Sequence, residues 1–161
     1  MAIYTSRFSN PVLRQECYTA VRISLGAPRW KLGYSLDGAI KDLMPVGLLG
    51  KYDEDMEGFK KEYFKRLDCI GVDKIKRQLQ PLEHKGNDIV LLCYEDIRKG
   101  PNDWCHRVMF AEWWKLRTGE LIEELPDSTT VPTPKIIKGI SNTCQVDTPA
   151  GSTYEQVQLS I

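Results

Sequence analysis

The sequence has no excess of charge of either sign, because 22 Lys and Arg residues balance 22 Asp and Glu residues. A protein that coats nucleic acid needs a basic excess to displace counterions, so this balance argues against nucleic acid as a general partner. No apolar run reaches the roughly 18 residues that span a bilayer, and we therefore expect no membrane partner. The start, MAIYTSRFSN, lacks the basic and apolar regions of a secretory signal.

Cysteine is sparse and odd in number, with 5 residues in the chain. An odd set without a secretory signal is typical of reduced thiols, which predicts a cytoplasmic protein without a disulfide framework. No two cysteines have the C-x-x-C spacing of many zinc sites. A Walker loop, the Rossmann glycine pattern, a phosphatase loop after the apolar strand and a G-x-S-x-G elbow are absent as well.

What the sequence does contain is a series of apolar segments that alternate between strand and helix patterns. The strands are predicted at Ala2–Ser6, Tyr18–Leu25, Asp88–Tyr94 and in ELIEEL. A short helix is predicted over Leu36–Met44, a second helix is capped by Asp53, and a third starts near Asp73. The fourth helix is predicted over Trp104–Thr118, with Asn102 or Asp103 as its cap and Gly119 at its end. This alternation predicts an α/β fold, a mainly parallel sheet flanked by helices. The unbroken apolar run from Ile89 to Cys93 indicates a central strand of that sheet.

The composition changes near Pro126, which divides the chain into an α/β domain of residues 1–125 and a C-terminal tail of residues 126–161. The tail opens with PDSTTVPTPK, which is rich in Pro, Ser and Thr and is typical of an extended segment. The later segments KIIKGI and YEQVQLSI have strand patterns. We therefore predict a tail that adds an edge β-hairpin or pairs with a partner chain, including a second copy in a homo-oligomer.

The stretch IVLLCYEDIRKGPNDWCHRVMF carries the densest set of candidate site residues. Cys93 and Glu95 follow the central strand, and Cys105, His106 and Arg107 open the next helix. Ligands of open α/β sheets bind beyond the carboxyl ends of the strands, and a helix start favours an anion and lowers the pKa of a thiol. The pattern predicts a ligand crevice, with Cys105 or Cys93 as nucleophile, His106 as acid or base and Glu95 as orienting group or base.

The ends of the first two strands supply further ligand-binding candidates. The full ligand-binding set is Ser6, Arg7, Arg22, Arg29, Cys93 and Arg107. Arg22 lies inside an apolar strand, where a charge needs a carboxylate partner or an anionic ligand. Ordinary alternatives stay open, because Cys93 continues a core strand and Arg107 can pair with Glu95 or Asp96.

A zinc site is the rival interpretation of the cysteines. Cys93, Cys105 and His106 offer sulfur and nitrogen ligands, but neighbouring residues on a helix point about 100° apart. On that argument we predict no metal and no cofactor.

Three motifs together resemble one protein family. They are IYTSRFS, AVRISLGAPRW, and the pair LLCYE and CHRVMFAEW. In this order they resemble the family called domain of unknown function 488, which includes the YeaO-like proteins, over about residues 2–125. The resemblance implies a parallel α/β fold and a site that includes Arg22, Cys93, Glu95, Cys105, His106 and Arg107, but it implies no substrate. Many members have an acidic residue before the strand arginine, where this chain has Ala20-Val21-Arg22.

Three functions are compatible with this sequence. The first is binding of a nucleotide-like or other small anionic ligand in the crevice, as in sensing or sequestering a nucleotide signal. The second is a Cys/His-dependent enzyme that acts on a nucleotide or glycosidic bond. The third is an interaction protein that acts through its tail by strand addition.

Overall fold

The apolar run Ile89–Cys93 lies at the centre of a parallel sheet of 5 strands, as its unbroken pattern predicts. The computed structural model describes residues 2–132, except the side chains of His84 and Lys85. The strands are β1 (Ile3–Arg7), β2 (Tyr18–Arg22), β3 (Gly38–Ala39), β4 (Asp88–Cys93) and β5 (Glu123–Glu124). Their order is β3-β2-β4-β1-β5, and every neighbouring pair is parallel. The predicted α/β fold is confirmed.

Three helices, α1 (Met56–Ile70), α2 (Val72–Leu79) and α3 (His106–Thr118), pack against one face of the sheet. Side chains alternate along a strand, so Ile89 and Leu91 point toward these helices while Val90 and Leu92 point to the opposite face. The helices contribute large buried side chains to this core: Phe59, Tyr63, Leu67, Ile75, Phe110, Trp113 and Trp114. The opposite face is covered instead by Leu13 from a short 3₁₀ helix and by loop and strand-end residues.

Three local predictions are wrong. The segment Leu36–Met44 is not a helix, because Gly38–Ala39 pairs with the free edge of β2 and only Lys41–Leu43 forms a 3₁₀ turn. So short a segment cannot offset the cost of helix nucleation when an edge strand offers hydrogen bonds. The second strand ends at Arg22 instead of Leu25. Asp55 caps α1 by accepting from the backbone N–H of Gly58, whereas Asp53 accepts from Gly50.

The end of α3 lies where the sequence predicts it. Gly119 adopts the left-handed backbone conformation, φ 77°, and its N–H donates to the carbonyl of Lys115. Glycine has no Cβ to penalise this conformation, so the helix stops and the chain turns into β5.

The first residues of the predicted tail contact the domain, because Asn10 Nδ2 donates to the carbonyl of Pro126 at 3.1 Å and Arg7 Nε donates to Asp127 at 2.6 Å. The N–H of Leu125 donates to the carbonyl of Thr5 at 2.8 Å, which extends the pairing of β5 with β1. The predicted hairpin segments of the tail lie outside the described residues. Within residues 2–132, no helix is both long enough and apolar enough to cross a membrane.

Candidate functional site

The carboxyl ends of the central strands bring two thiols, an imidazole and a carboxylate together. Cys93 is the last residue of β4, Glu95 follows it, and Cys105 and His106 begin the helix that returns over the sheet. The Sγ atoms of Cys93 and Cys105 lie 3.7 Å and 3.8 Å from His106 Nδ1. Cys105 Sγ donates to Glu95 Oε2 at 2.8 Å. We call these four residues the cysteine cluster.

The backbone of Cys105 explains how two neighbouring residues can face the same point. Cys105 is the N-cap of α3, with φ −141° and ψ 143°, and the helix begins only at His106. The prediction that Asn102 or Asp103 caps this helix is therefore wrong. The angle of about 100° between neighbours applies only to residues that are both helical, so that argument against a shared site does not hold here. The predicted absence of a metal stays a prediction.

The imidazole of His106 is held in one orientation. Its Nε2 lies 2.9 Å from the carbonyl oxygen of Ile23, which can only accept a hydrogen bond, so Nε2 carries the proton. The ring also packs edge-on against Tyr63, with ring centroids 5.7 Å apart. In the neutral ring, Nδ1 is then the unprotonated nitrogen, and its lone pair points toward both sulfur atoms.

The four groups of the cluster shift one another's proton affinities. A hydrogen bond with Cys105, together with burial, raises the pKa of Cys93. Burial works to raise the pKa of Cys105, but a hydrogen bond from Cys93 and the positive charge of Arg107 oppose it, and that pKa is lowered. Burial and the negative charge of Cys105 raise the pKa of Glu95. A sulfur–oxygen distance of 2.8 Å requires a proton between the two atoms, because two anions would repel each other.

Arg107 is fully buried and is engaged entirely within the protein. Its Nη2 forms an ion pair with Glu124 at 2.7 Å, and its Nη1 donates to the backbone carbonyl of Glu95 at 2.8 Å. The partner is thus neither the Glu95 carboxylate nor Asp96, the two partners that the sequence offered as alternatives. Glu124 comes from β5. Two features of the sequence pointed to this partner, namely the strand pattern of ELIEEL and the need of a buried arginine for a carboxylate. Arg107 therefore fixes the backbone from which the Glu95 side chain projects.

Arg7 lies in a second network beside the cluster. Its Nε donates to Asp127 at 2.6 Å, and Asp127 also lies 3.5 Å from Arg98. Arg98 pairs with Asp96 at 2.8 Å, and both arginines donate to the hydroxyl of Thr129. Arg98 and Asp127 were not singled out from the sequence, because nothing local marks them as partners.

The other three ligand-binding candidates do not join the cluster through hydrogen bonds or ion pairs that the structure describes. Ser6 is buried and accepts from the Asn10 side chain at 3.0 Å. Arg22 donates to the carbonyl oxygens of Ser24 and Leu25, which holds the loop after β2. Arg29 is exposed on that same loop.

Two pockets reach the cluster. A pocket of about 150 Å³ is lined by Cys93, Glu95 and His106 and by apolar side chains such as Leu25, Pro45 and Leu49. We call it the edge pocket. A second pocket of about 310 Å³ reaches Cys105 between apolar residues of α3 and its preceding loop. A larger pocket of about 510 Å³, near Ala2, contains no member of the cluster.

Comparisons with protein-family models, with curated proteins and with solved structures find no match to this chain. The resemblance to the domain of unknown function 488 family therefore rests on its motifs alone and stays a prediction.

Proposed function

We propose that this protein is a Cys/His-dependent enzyme whose reaction centre is the cysteine cluster and whose substrate enters through the edge pocket. The observation that carries the proposal is the convergence of two sulfurs, one imidazole nitrogen and one carboxylate on a single point. Sulfur in its thiolate form either attacks an electrophile itself or binds a metal ion whose bound water attacks the electrophile. Both uses depend on the same cysteines.

The walls of the edge pocket support a catalytic role better than a purely structural one. Cys93 and His106 are almost completely buried, yet both line the pocket together with the half-buried Glu95. A carboxylate at this position is within hydrogen-bond distance of the reactive sulfur, so it can accept or return a proton during the reaction. The apolar neighbours lower the local dielectric constant, which strengthens electrostatic interactions inside the pocket.

Binding of a nucleotide-like or other small anionic ligand stays the second candidate. It depended on arginines that would face the crevice. Arg7, Arg22 and Arg107 all donate to groups of the protein. The edge pocket is lined by apolar side chains and by the electron-pair donors Cys93, Glu95 and His106, without an arginine or lysine among its described lining residues. These contacts favour an electrophile or a cation over a bare anion. An interaction through the tail also stays a prediction, because residues 133–161 lie outside the described part.

A substrate panel tests the proposal. The full chain is assayed against nucleotides, glycosides and carboxylic and phosphate esters, once with chelator and once with added zinc. We expect turnover of at least one class and a decrease of roughly 10²- to 10⁴-fold in Glu95→Gln, the range expected for loss of a proton-transfer group. Cys69→Ser is the matched control, because Cys69 is an exposed thiol on α1. Turnover that persists in both Glu95→Gln and Cys105→Ser would contradict the proposal, as would its absence across the panel in a folded protein.

A further inference from the structure

We propose that Cys93, Cys105 and His106 bind a divalent cation of the zinc class, with a fourth coordination position open to the edge pocket. This inference rests on the proposed function, since it names the cofactor of the same reaction centre.

The donor atoms have the spacing of a metal site. One ligand atom from each of the three residues lies within 4.8 Å of the other two, and all three residues are buried. The two sulfur–nitrogen distances are 3.7 Å and 3.8 Å. Zinc–sulfur bonds of about 2.3 Å and zinc–nitrogen bonds of about 2.0 Å at a tetrahedral angle place sulfur and nitrogen roughly 3.6 Å apart. An ion therefore fits between the imidazole nitrogen and each sulfur with shifts of a few tenths of an ångström.

The imidazole is already anchored in the way that metal-bound histidines are. Metal-bound histidines almost always donate their second ring N–H to a carbonyl or carboxylate, which fixes the tautomer and the ring plane. His106 does this through Nε2, which donates to the carbonyl of Ile23, and its Nδ1 is left for the ion. The contact with Tyr63 further limits rotation of the ring. A histidine that only filled space in the core would not need its free nitrogen aimed at two sulfurs.

The charge balance explains why a dication is acceptable in a buried site. Two thiolates neutralise the charge of the ion, so little net charge is removed from water. Two sulfur ligands and one imidazole also favour zinc over magnesium or calcium, both of which prefer oxygen ligands. The donor set therefore specifies the class of ion.

The edge pocket supplies the fourth position. Catalytic zinc sites keep three protein ligands and leave one position for water or substrate, and such an ion lowers the pKa of its water to about 7. Glu95 and His106 both line this pocket, and the Glu95 carboxylate contacts Cys105 at 2.8 Å. Glu95 then lies beside the ion as the group that accepts a proton from the water. Binding of the ion by two thiolates would release two protons to solvent, the thiol proton of Cys93 and the proton that Glu95 shares with Cys105.

Metal titration of the full chain tests the site. Chelator-treated protein is titrated with Zn²⁺ against a competing indicator and with Co²⁺, whose thiolate bands in the near ultraviolet report sulfur ligands. We expect one ion per chain. Cys93→Ser and Cys105→Ser should each weaken binding by roughly 100-fold or more, since loss of a ligand costs more than the 10- to 100-fold of an outer-shell change. Cys17→Ser and Cys69→Ser, which remove exposed thiols, should change nothing. Absence of 1:1 binding, or equal binding by the Cys93 and Cys105 variants, overturns the inference.

Residue-resolved alkylation separates this inference from the proposed function. Added Zn²⁺ should slow the reaction of iodoacetamide with Cys93 and Cys105, while exposed Cys17 and Cys69 keep their rates as internal references. No protection, combined with turnover that Glu95→Gln abolishes, overturns the metal site and leaves the enzyme proposal standing. Protection and 1:1 binding without any turnover support the metal site and overturn the enzyme proposal.

Discussion

Removal of the carboxylate that balances Arg107 should be among the most costly single substitutions in the chain. The Arg107 side chain is 1% exposed and its ion-pair partner Glu124 is 30% exposed. Glu124→Ala leaves the guanidinium charge buried and unpaired, and Thr5 also loses the acceptor of its hydroxyl hydrogen bond. Breaking a buried pair from one side costs about 3–5 kcal/mol, a large part of the roughly 5–15 kcal/mol that stabilises an ordinary domain.

Urea denaturation followed by tryptophan fluorescence measures this cost. With a urea dependence of about 2 kcal/mol per molar, the midpoint of unfolding should fall by roughly 1.5–2.5 M. Glu112→Ala is the matched control, because Glu112 pairs with Lys60 on the surface and is 48% exposed. Exposed pairs contribute about 0–1 kcal/mol. The double variant Arg107→Met with Glu124→Leu should recover much of the loss, since apolar replacement of a buried pair is often neutral. If Glu124→Ala shifts the midpoint no further than Glu112→Ala does, the buried charge is not what makes this contact important.

Three further outcomes follow from the fold. Leu91→Ala at the fully buried centre of β4 should lower the free energy of unfolding by about 2–5 kcal/mol in the same urea assay, and a loss below 1 kcal/mol would show a loosely packed core. Gly119→Ala should cost about 1 kcal/mol through backbone strain alone, because no atom lies near the added methyl group; an unchanged midpoint would mean that the helix end adjusts freely. The hydrogen bond and charge of Arg98 hold the pKa of Asp96 well below its ordinary value, so this carboxylate stabilises the fold above pH 4 and the contribution is lost on further acidification. Asp96→Asn should therefore flatten the acid limb of a stability-versus-pH curve, and an unchanged limb would contradict that role.

The sequence was most informative where burial and chain periodicity decide the structure. The unbroken run Ile89–Cys93 fits a central strand covered on both faces, and the structure places it there. The end of α3 at Gly119 was also predictable, since the required backbone conformation selects glycine. The segment Leu36–Met44 could not be predicted locally, because its short strand depends on the free edge of β2, which is distant in sequence.

In the candidate site too, some features were predictable from the local sequence and others depended on the tertiary structure. A strand end followed by a helix start was enough to group Cys93 and Glu95 with Cys105 and His106 around one crevice. The extended backbone of Cys105 turns its sulfur toward the same His106 Nδ1 that Cys93 contacts from β4. This could not be foreseen from spacing, since spacing suggested that Cys105 and His106 diverge. The pairing of Arg107 with Glu124 was signalled only in part, because the ELIEEL pattern indicates a strand with carboxylates but its position beside Arg107 depends on the pairing of β5 with β1.

The residue at the N-cap of α3, Cys105, serves the chemistry of the site at the expense of helix stability. Ser, Asp or Asn at an N-cap stabilises a helix by about 1 kcal/mol. The N-cap of this helix is instead a cysteine, whose side chain accepts no hydrogen bond from a backbone N–H of the first turn. The sulfur is aimed at Glu95 instead. A sequence optimised for folding alone would place serine at position 105, so Cys105→Ser should leave the fold intact or slightly more stable while removing the reactive sulfur. The most favourable residue for the helix is thus the one that abolishes the site.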